Sequence, residues 1–368
     1  MTIDSSSYFL YTLNQPSLFE GICSYLKPID MNNLLKTHLP IKNTVENFKE
    51  TYPKGYSALF ANICQLKNRE ECNTEVLNSR LERAIKNDLL DIIPLFINSD
   101  RFPEISKLNL SIFLQKATRE ARLDIVQALI QSDRFQEVST SILGFCLQEA
   151  IENGHLGIVY ALGSSRFDEI YPERLGEFLK GAVKNGHPNI VQALIRSNRF
   201  QEIDPLVLEA SLKEAAENNH LEILQLLIHS GRIQEISTFC IEKSLKRAIK
   251  NSHPNIVQAF IDSDRFQEIC GLTLSRFLRM AVKNNCLDIV QALIQSSSFS
   301  KVYLINLSLA LHRAVQNSHL DIVKALIHSG RAHEIPLLYL SFSLKEARKT
   351  HHQEIIETLE LLIHLIER

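Results

Sequence analysis

The chain has 368 residues, 45% of them apolar, and a formal charge of -2, a near-neutral balance that excludes a general pull toward nucleic acid or anionic membranes. Its 12 glycines, 11 prolines and absent tryptophan argue against a turn-rich sheet protein and for helix. Seven cysteines without a CxxC pair predict free thiols in a reducing, cytoplasmic setting, and no stretch approaches the roughly 20 apolar residues of a membrane span.

In chain order, the opening MTIDSSSYFLYTLN lacks the basic and apolar regions of a secretory leader. In PSLFEGICSYLKPIDMNNLL (Pro16–Leu35) the residues Leu18, Ile22 and Leu26 are four apart and share one helical face. Pro28 ends that helix, and Asp30 can cap a second one carrying Leu34 and Leu35. The stretch ICSYLKPIDMNNL resembles the F-box, the short helical motif that docks cullin ubiquitin ligases through a Skp-family adaptor. Ile22, Tyr25, Leu26, Pro28, Asp30 and Leu34 fall on that family's positions, although Met31-Asn32 replaces its usual Leu-Leu and its closing Trp is missing. A helical cap sealing the following repeat fits the same residues, and both readings stay open. Residues 1–50 are therefore an expected F-box-like or capping segment, and residues 51–74 a helical linker.

From about residue 75 the chain repeats itself. Ala84, Ala117, Ala150, Ala182, Ala215, Ala248, Ala281, Ala314 and Ala347 recur at intervals of 33, apart from one interval of 32 after Ala150. The missing residue lies near Gly163, where ALGSSRF replaces ALIQSDRF. Leu or Ile stands seven residues before each alanine and Leu three before it, one stripe of a helix of roughly three turns. A turn such as Asn153–His155 follows, then a second helix with apolar residues like Ile256, Val257, Phe260 and Ile261. Pro188 and Pro254 sit in the opening turns of such second helices, where no backbone donor is lost. Nine copies at a fixed period predict a solenoid in which each unit buries its apolar face against its neighbours.

AAENNHLEILQLLIHSG (Ala215–Gly231) and AIENGHLGIV (Ala150–Val159) resemble the paired helices of ankyrin repeats. The TPLH opening of that family and its Asp-x-x-Gly hairpin turn are missing, replaced by phrases such as KSLKRA (Lys243–Ala248). The expected fold over residues 75–368 is an all-α solenoid of about nine ankyrin-like helix pairs with little or no β-hairpin. The last helix, with Ile355, Ile356, Leu359, Leu362, Ile363 and Ile366 on one stripe, reads as the C-terminal cap or as a partner or membrane-surface helix.

Between units the chain writes Arg-x-x-Glu-aliphatic seven times, from RFPEI at Arg101 to RAHEI at Arg331. A phrase that scarcely varies reads as a joint. Its Phe or Ile and its closing aliphatic are expected to plug the seam, and its Arg–Glu pair, taken as exposed, to add only about 0–1 kcal/mol. His155, His187, His220, His253, His319 and His352 share one column. Stacked about 8–10 Å apart they are poorly placed to share a metal, and bonds to the turn backbone are expected instead. No nucleotide-binding, hydrolase or metalloprotease signature is present, so no catalysis and no cofactor is expected.

Two residues before and two after each alanine lie on one helical face. In the later units this face is mostly basic: Lys180, Lys184, Lys213, Lys246, Lys250, Arg279, Lys283, Lys345 and Lys349, interrupted by Glu217 and Gln316, whereas earlier units carry Glu82 and Glu152. A solvated helix face balanced by glutamates elsewhere is the plainer reading. The resemblance to ankyrin repeats implies that the face looks into a concave groove and takes a protein partner, here one with an acidic segment. Together with the F-box-like segment it implies a ubiquitin-ligase substrate receptor or a pathogen effector acting in host cytosol. Without that segment it implies a plain interaction protein.

Overall fold

The computed structural model describes residues 73–86, 90, 93, 97 and 101–367. The F-box-like residues Ile22, Tyr25, Leu26, Pro28, Asp30 and Leu34 lie outside them. The described residues are all-α, without a strand among them, and divide into two compact units between Tyr171 and Pro172. The first unit holds α1 (Thr74–Lys86), α2 (Lys107–Arg119), α3 (Leu123–Gln131), α4 (Thr140–Glu152) and α5 (Leu156–Arg166). The second holds α6 (Pro172–Lys184), α7 (Pro188–Arg196), α8 (Pro205–Glu217), α9 (Leu221–Ile228), α10 (Thr238–Lys250) and α11 (Pro254–Ile261). It continues with α12 (Gly271–Lys283), α13 (Leu287–Gln295), α14 (Leu304–Gln316), α15 (Leu320–Ile327), α16 (Leu337–Thr350) and α17 (Gln353–Glu367).

From α2 onward, even numbers are the first helices of each pair. Within the second unit the first helices pack side by side from α6 to α16, and the second helices form another layer from α7 to α17. The first unit stacks α1 on α2 and α2 on α4, with α3 against α5. Each unit is thus an ankyrin-like α-solenoid of helix pairs.

The first helices span 13 residues in most pairs and begin ten before the alanine, a turn earlier than the alanine-centred stripe alone requires. Ser106, Ser139 and Ser237 cap them by accepting from the N–H three residues on, which satisfies one of the donors a helix start leaves open. Ile241, Ser244, Leu245 and Ala248 of α10 are fully buried, the stripe the spacing predicts. Each such Leu contributes roughly 1.5–3 kcal/mol by leaving water.

The pairs turn through a left-handed residue four after the alanine: Ala121, Gly154, Gly186, Asn219, Ser252, Asn285, Ser318 and His351 all have positive φ. The next N–H then donates back to the alanine carbonyl, as from His220 to Ala215 and from His319 to Ala314, both at 2.9 Å. This closes the helix end that would otherwise present bare carbonyls.

In the connecting phrase a short 3-10 turn stands where a hairpin finger would be, as at Phe135–Glu137 and Phe200–Glu202. The closing aliphatics plug the seam as expected, with Ile105, Val138, Ile170, Ile203, Ile236, Ile269, Val302 and Ile335 buried. Of the second residues Phe102, Phe135, Phe200, Phe266 and Phe299 are buried, whereas Phe167 and Ile233 are half-buried. The arginines depart from the expected exposed pair. Arg101, Arg166, Arg199, Arg232 and Arg265 are only 1–9% exposed.

Arg134, Arg166, Arg232, Arg265 and Arg331 each tie their own phrase to the preceding one. Arg232 forms a fork with Glu235 (2.7 and 2.5 Å), donates to the Phe200 carbonyl of the preceding phrase (2.7 Å) and lies 5.4 Å from the centre of the Phe200 ring. Arg134 treats Phe102 likewise, Arg166 treats Phe135, and Arg331 treats Phe299. A planar guanidinium can stack on a ring and still use its edge donors, which explains how a cation is buried here. One rung is missing: at SFSKV the arginine's place holds buried Ser298, and Lys301 reaches the Gln267 carbonyl (2.5 Å) instead. The shortened link after Ala150 is absorbed by running α5 straight into its 3-10 turn at Phe167–Glu169, without the extended serine that ends α3 and α7.

Candidate functional site

The histidine column serves the joints. The Nδ1–H of His220 donates to the Val183 carbonyl (2.9 Å), that of His253 to Ala216 (3.2 Å) and that of His319 to Val282 (3.1 Å), each reaching the preceding first helix. His155 does the same to Thr118 (3.1 Å) in the first unit. Among the described residues no group of three or more His, Cys, Asp or Glu is arranged to hold a metal ion. Burial pushes the Cys146 thiol up to about 12 and also raises that of Cys240. Cys270 is exposed, and a hydrogen bond with the Thr273 hydroxyl lowers its thiol.

The exposed face of the first helices in the second unit is of a different kind. Positions nine, five and two before the alanine and two after it are spaced by four, three and four, so they form one ridge along each helix. Lys180 and Lys184 on α6, Lys246 and Lys250 on α10, Arg279 and Lys283 on α12, and Lys345 and Lys349 on α16 are exposed, and Lys213 on α8 is half-buried. Lys349 pairs with Glu346 (2.9 Å). The other eight make no ion pair among the described residues. Glu217, which interrupts the series, is held by Arg247 from the next helix, so its charge is offset locally. A recess of about 380 Å³ between α8 and α10 is bordered by Lys213, Lys246, Arg247 and Lys250 with Glu217.

The same ridge carries a second feature that the sequence reading missed. Nine residues before the alanine stand Leu206, Phe239, Leu272, Ile305 and Leu338, one on each of five successive first helices, with exposures from 43% (Leu272) to 71% (Leu206). Leu309 and Phe342, five before the alanine on α14 and α16, are exposed as well. An apolar column at period 33 passes for core in a repeat. Only its helical phase, about two turns from the lysines, distinguishes it from the buried stripe. Between α10 and α12 a recess of about 250 Å³ opens beside this row, with Phe239, Phe277 and Met280 as its apolar surface and Lys243, Lys246, Arg276, Glu242 and Thr273 around it. The Lys243 ammonium lies 4.3 Å from the Phe239 ring centre.

A second apolar surface lies on α17. Ile355, Leu359 and Leu362 are buried, Ile356, Ile363 and Ile366 half-buried, while Leu361 and Leu365 face solvent beside Lys324 and His328. Among the described residues no helix is long and apolar enough to cross a membrane.

Comparison with known proteins supports the repeat and stops there. The family model for ankyrin repeats matches residues 245–336, in three copies, a stretch from within α10 to just before α16. No curated protein matches the chain.

Proposed function

We propose that the chain is a non-catalytic protein-interaction scaffold whose second unit receives an acidic segment of a protein partner on the ridges of α6 to α16. Ankyrin repeats imply protein partners, and the observation that carries the finer reading is the run of unpaired cations on one face of a chain whose total charge is -2. A solvated face has no need to hold its cations on one side. Neighbouring ridges about 8–10 Å apart lie near one Debye length, so an acidic strand crossing them feels several cations at once.

The test is binding of a fluorescein-labelled oligoglutamate peptide at low and high salt. Lys246→Glu, Lys250→Glu, Arg279→Glu and Lys283→Glu together are expected to abolish binding while leaving helicity and melting unchanged. Binding that survives reversal and ignores salt would put the site elsewhere. The N-terminal segment extends the proposal: an F-box-like contact through Ile22, Tyr25, Leu26, Pro28, Asp30 and Leu34 would make the scaffold a substrate receptor for a cullin ligase in the cytoplasm. Its support is the residue pattern, and its test is retention of a Skp-family adaptor by the full chain, lost on Leu26→Asp with Pro28→Ala.

A further inference from the structure

Resting on that reading, we propose that the bound segment is amphipathic, with carboxylates toward the lysine rows and apolar side chains on the row Leu206, Phe239, Leu272, Ile305 and Leu338. Five large apolar side chains at one register are left 43–71% exposed, and the buried stripe of each helix is complete without them. Folded chains do not ordinarily expose contiguous apolar surface unless something covers it. Here the row doubles at α14 and α16, neighbours in the stack, where exposed Ile305 and Leu309 hold the same register as exposed Leu338 and Phe342.

The geometry selects a helical occupant. The apolar row and the first lysine row are seven residues apart, about 10 Å along the helix axis, close to the width of one helix. Successive first helices lie about 8–10 Å apart, a distance a crossing helix covers in about five to seven residues at 1.5 Å each. The seven-residue spacing also keeps the side chains on one helical face. A partner helix with apolar residues at about every seventh position and carboxylates along one flank would therefore meet both rows in register. The five-before column sets its direction of change, being Lys243 and Arg276 on α10 and α12 but Leu309 and Phe342 on α14 and α16. The occupant is accordingly most acidic over α10 and α12 and most apolar over α14 and α16. An anionic membrane would offer related chemistry. The near-neutral chain and the recess holding Phe277 and Met280, which admits a protruding side chain, favour a protein segment.

The experiment compares three labelled peptides of equal length and charge on the intact protein: a Leu/Glu helix with the apolar residues at seven-residue spacing, its scramble, and an Ala/Glu control. The spaced helix is expected to bind at least about tenfold tighter than the scramble. Leu272→Glu with Ile305→Glu and Leu338→Glu is expected to erase that preference while melting is unchanged, because these side chains are exposed. If charge reversal abolishes binding of all three peptides but the apolar-row variant keeps the preference, this inference fails and the acidic-segment reading stands. If neither variant matters, both fail. Two other results would also overturn it. One is binding to phosphatidylserine vesicles, released by the row variant, with no peptide preference. The other is a concentration-dependent dimer dispersed by Ile305→Glu.

Discussion

The two units share an inner plan and differ on their outward face. Leu143, Cys146, Leu147 and Ala150 in α4 are as buried as Ile241, Ser244, Leu245 and Ala248 in α10, and both units use the buried arginine joint. Outward, α2 presents Leu108, Ile112, Gln115 and Arg119, and α4 presents Ser141, Phe145, Gln148 and Glu152. Arg119 is tied to Glu149 (2.7 Å) and Gln148 to Glu152 (2.5 Å). In the second unit the same register holds unpaired lysines beside an apolar row. Stacking dictates the inner columns of every repeat and leaves the outer ones free. The difference between the units is therefore where function is read.

The largest expected effect removes one end of the second unit. Deleting residues 337–368 strips α16 and α17 from α14 and α15, exposing Leu307, Leu311, Ile322 and Val323, which are buried in the intact chain. Loss of a terminal pair from a stack exposes core surface, so size-exclusion chromatography should show association and the melt should fall. A truncated chain that stays monomeric with an unchanged melt would break the assignment of α17 as a cap.

Next come the joints, which should matter equally in both units. Arg232→Met in the second unit and Arg166→Met in the first each lose the fork to glutamate and the bonds to the preceding phrase, and each is expected to cost about 2–3 kcal/mol in denaturant unfolding. Unequal losses would mean that the two stacks are not built alike. Neither substitution should alter peptide binding directly, whereas the outward lysines should alter binding and not stability.

The stacking plan was legible in the sequence because it is periodic. The alanine register and the leucine stripe mark the helix pairs, and the histidines bond the backbone as their column predicts. The arginines were misjudged as exposed because their burial depends on Phe rings and carbonyls about 32 residues earlier, such as Phe102 for Arg134, and no local pattern reveals that contact. The row from Leu206 to Leu338 was hidden for the opposite reason. It is periodic and apolar, so periodicity alone assigns it to the core.

Acid should weaken both units together. Hydrogen bonds from their arginine partners hold the carboxyls of Glu137 and Glu169 in the first unit, and of Glu202, Glu235, Glu268 and Glu334 in the second, below the usual range. A carboxyl lowered on folding contributes stability that is fully present above its unfolded value and lost as pH falls through the folded one. The melting temperature should hold from neutral pH to about 5 and decline below about 4. Arg232→Met removes the cause of the shift at Glu235, so its decline should be shallower. An equal slope would show that the forks do not carry the acid sensitivity.

The smallest effect tests whether the turns are truly alike. Ala121 in the first unit and Ser252 and Ser318 in the second occupy the left-handed region, with φ of 55, 58 and 60°. There an L side chain costs roughly 1–2 kcal/mol. Glycine removes that cost but brings extra freedom to the unfolded chain, worth about 0.5–1 kcal/mol against it. Ala121→Gly should therefore stabilise by about 0.5–1 kcal/mol, and Ser252→Gly and Ser318→Gly by a similar amount. Asn285, at φ 55°, belongs to a residue type that visits this region readily, so Asn285→Gly should gain less. Equal gains at Ala121 and Ser252 would tie the two units to one turn geometry. A loss at Ala121 alone would show that its methyl group packs to a purpose the second unit does not share.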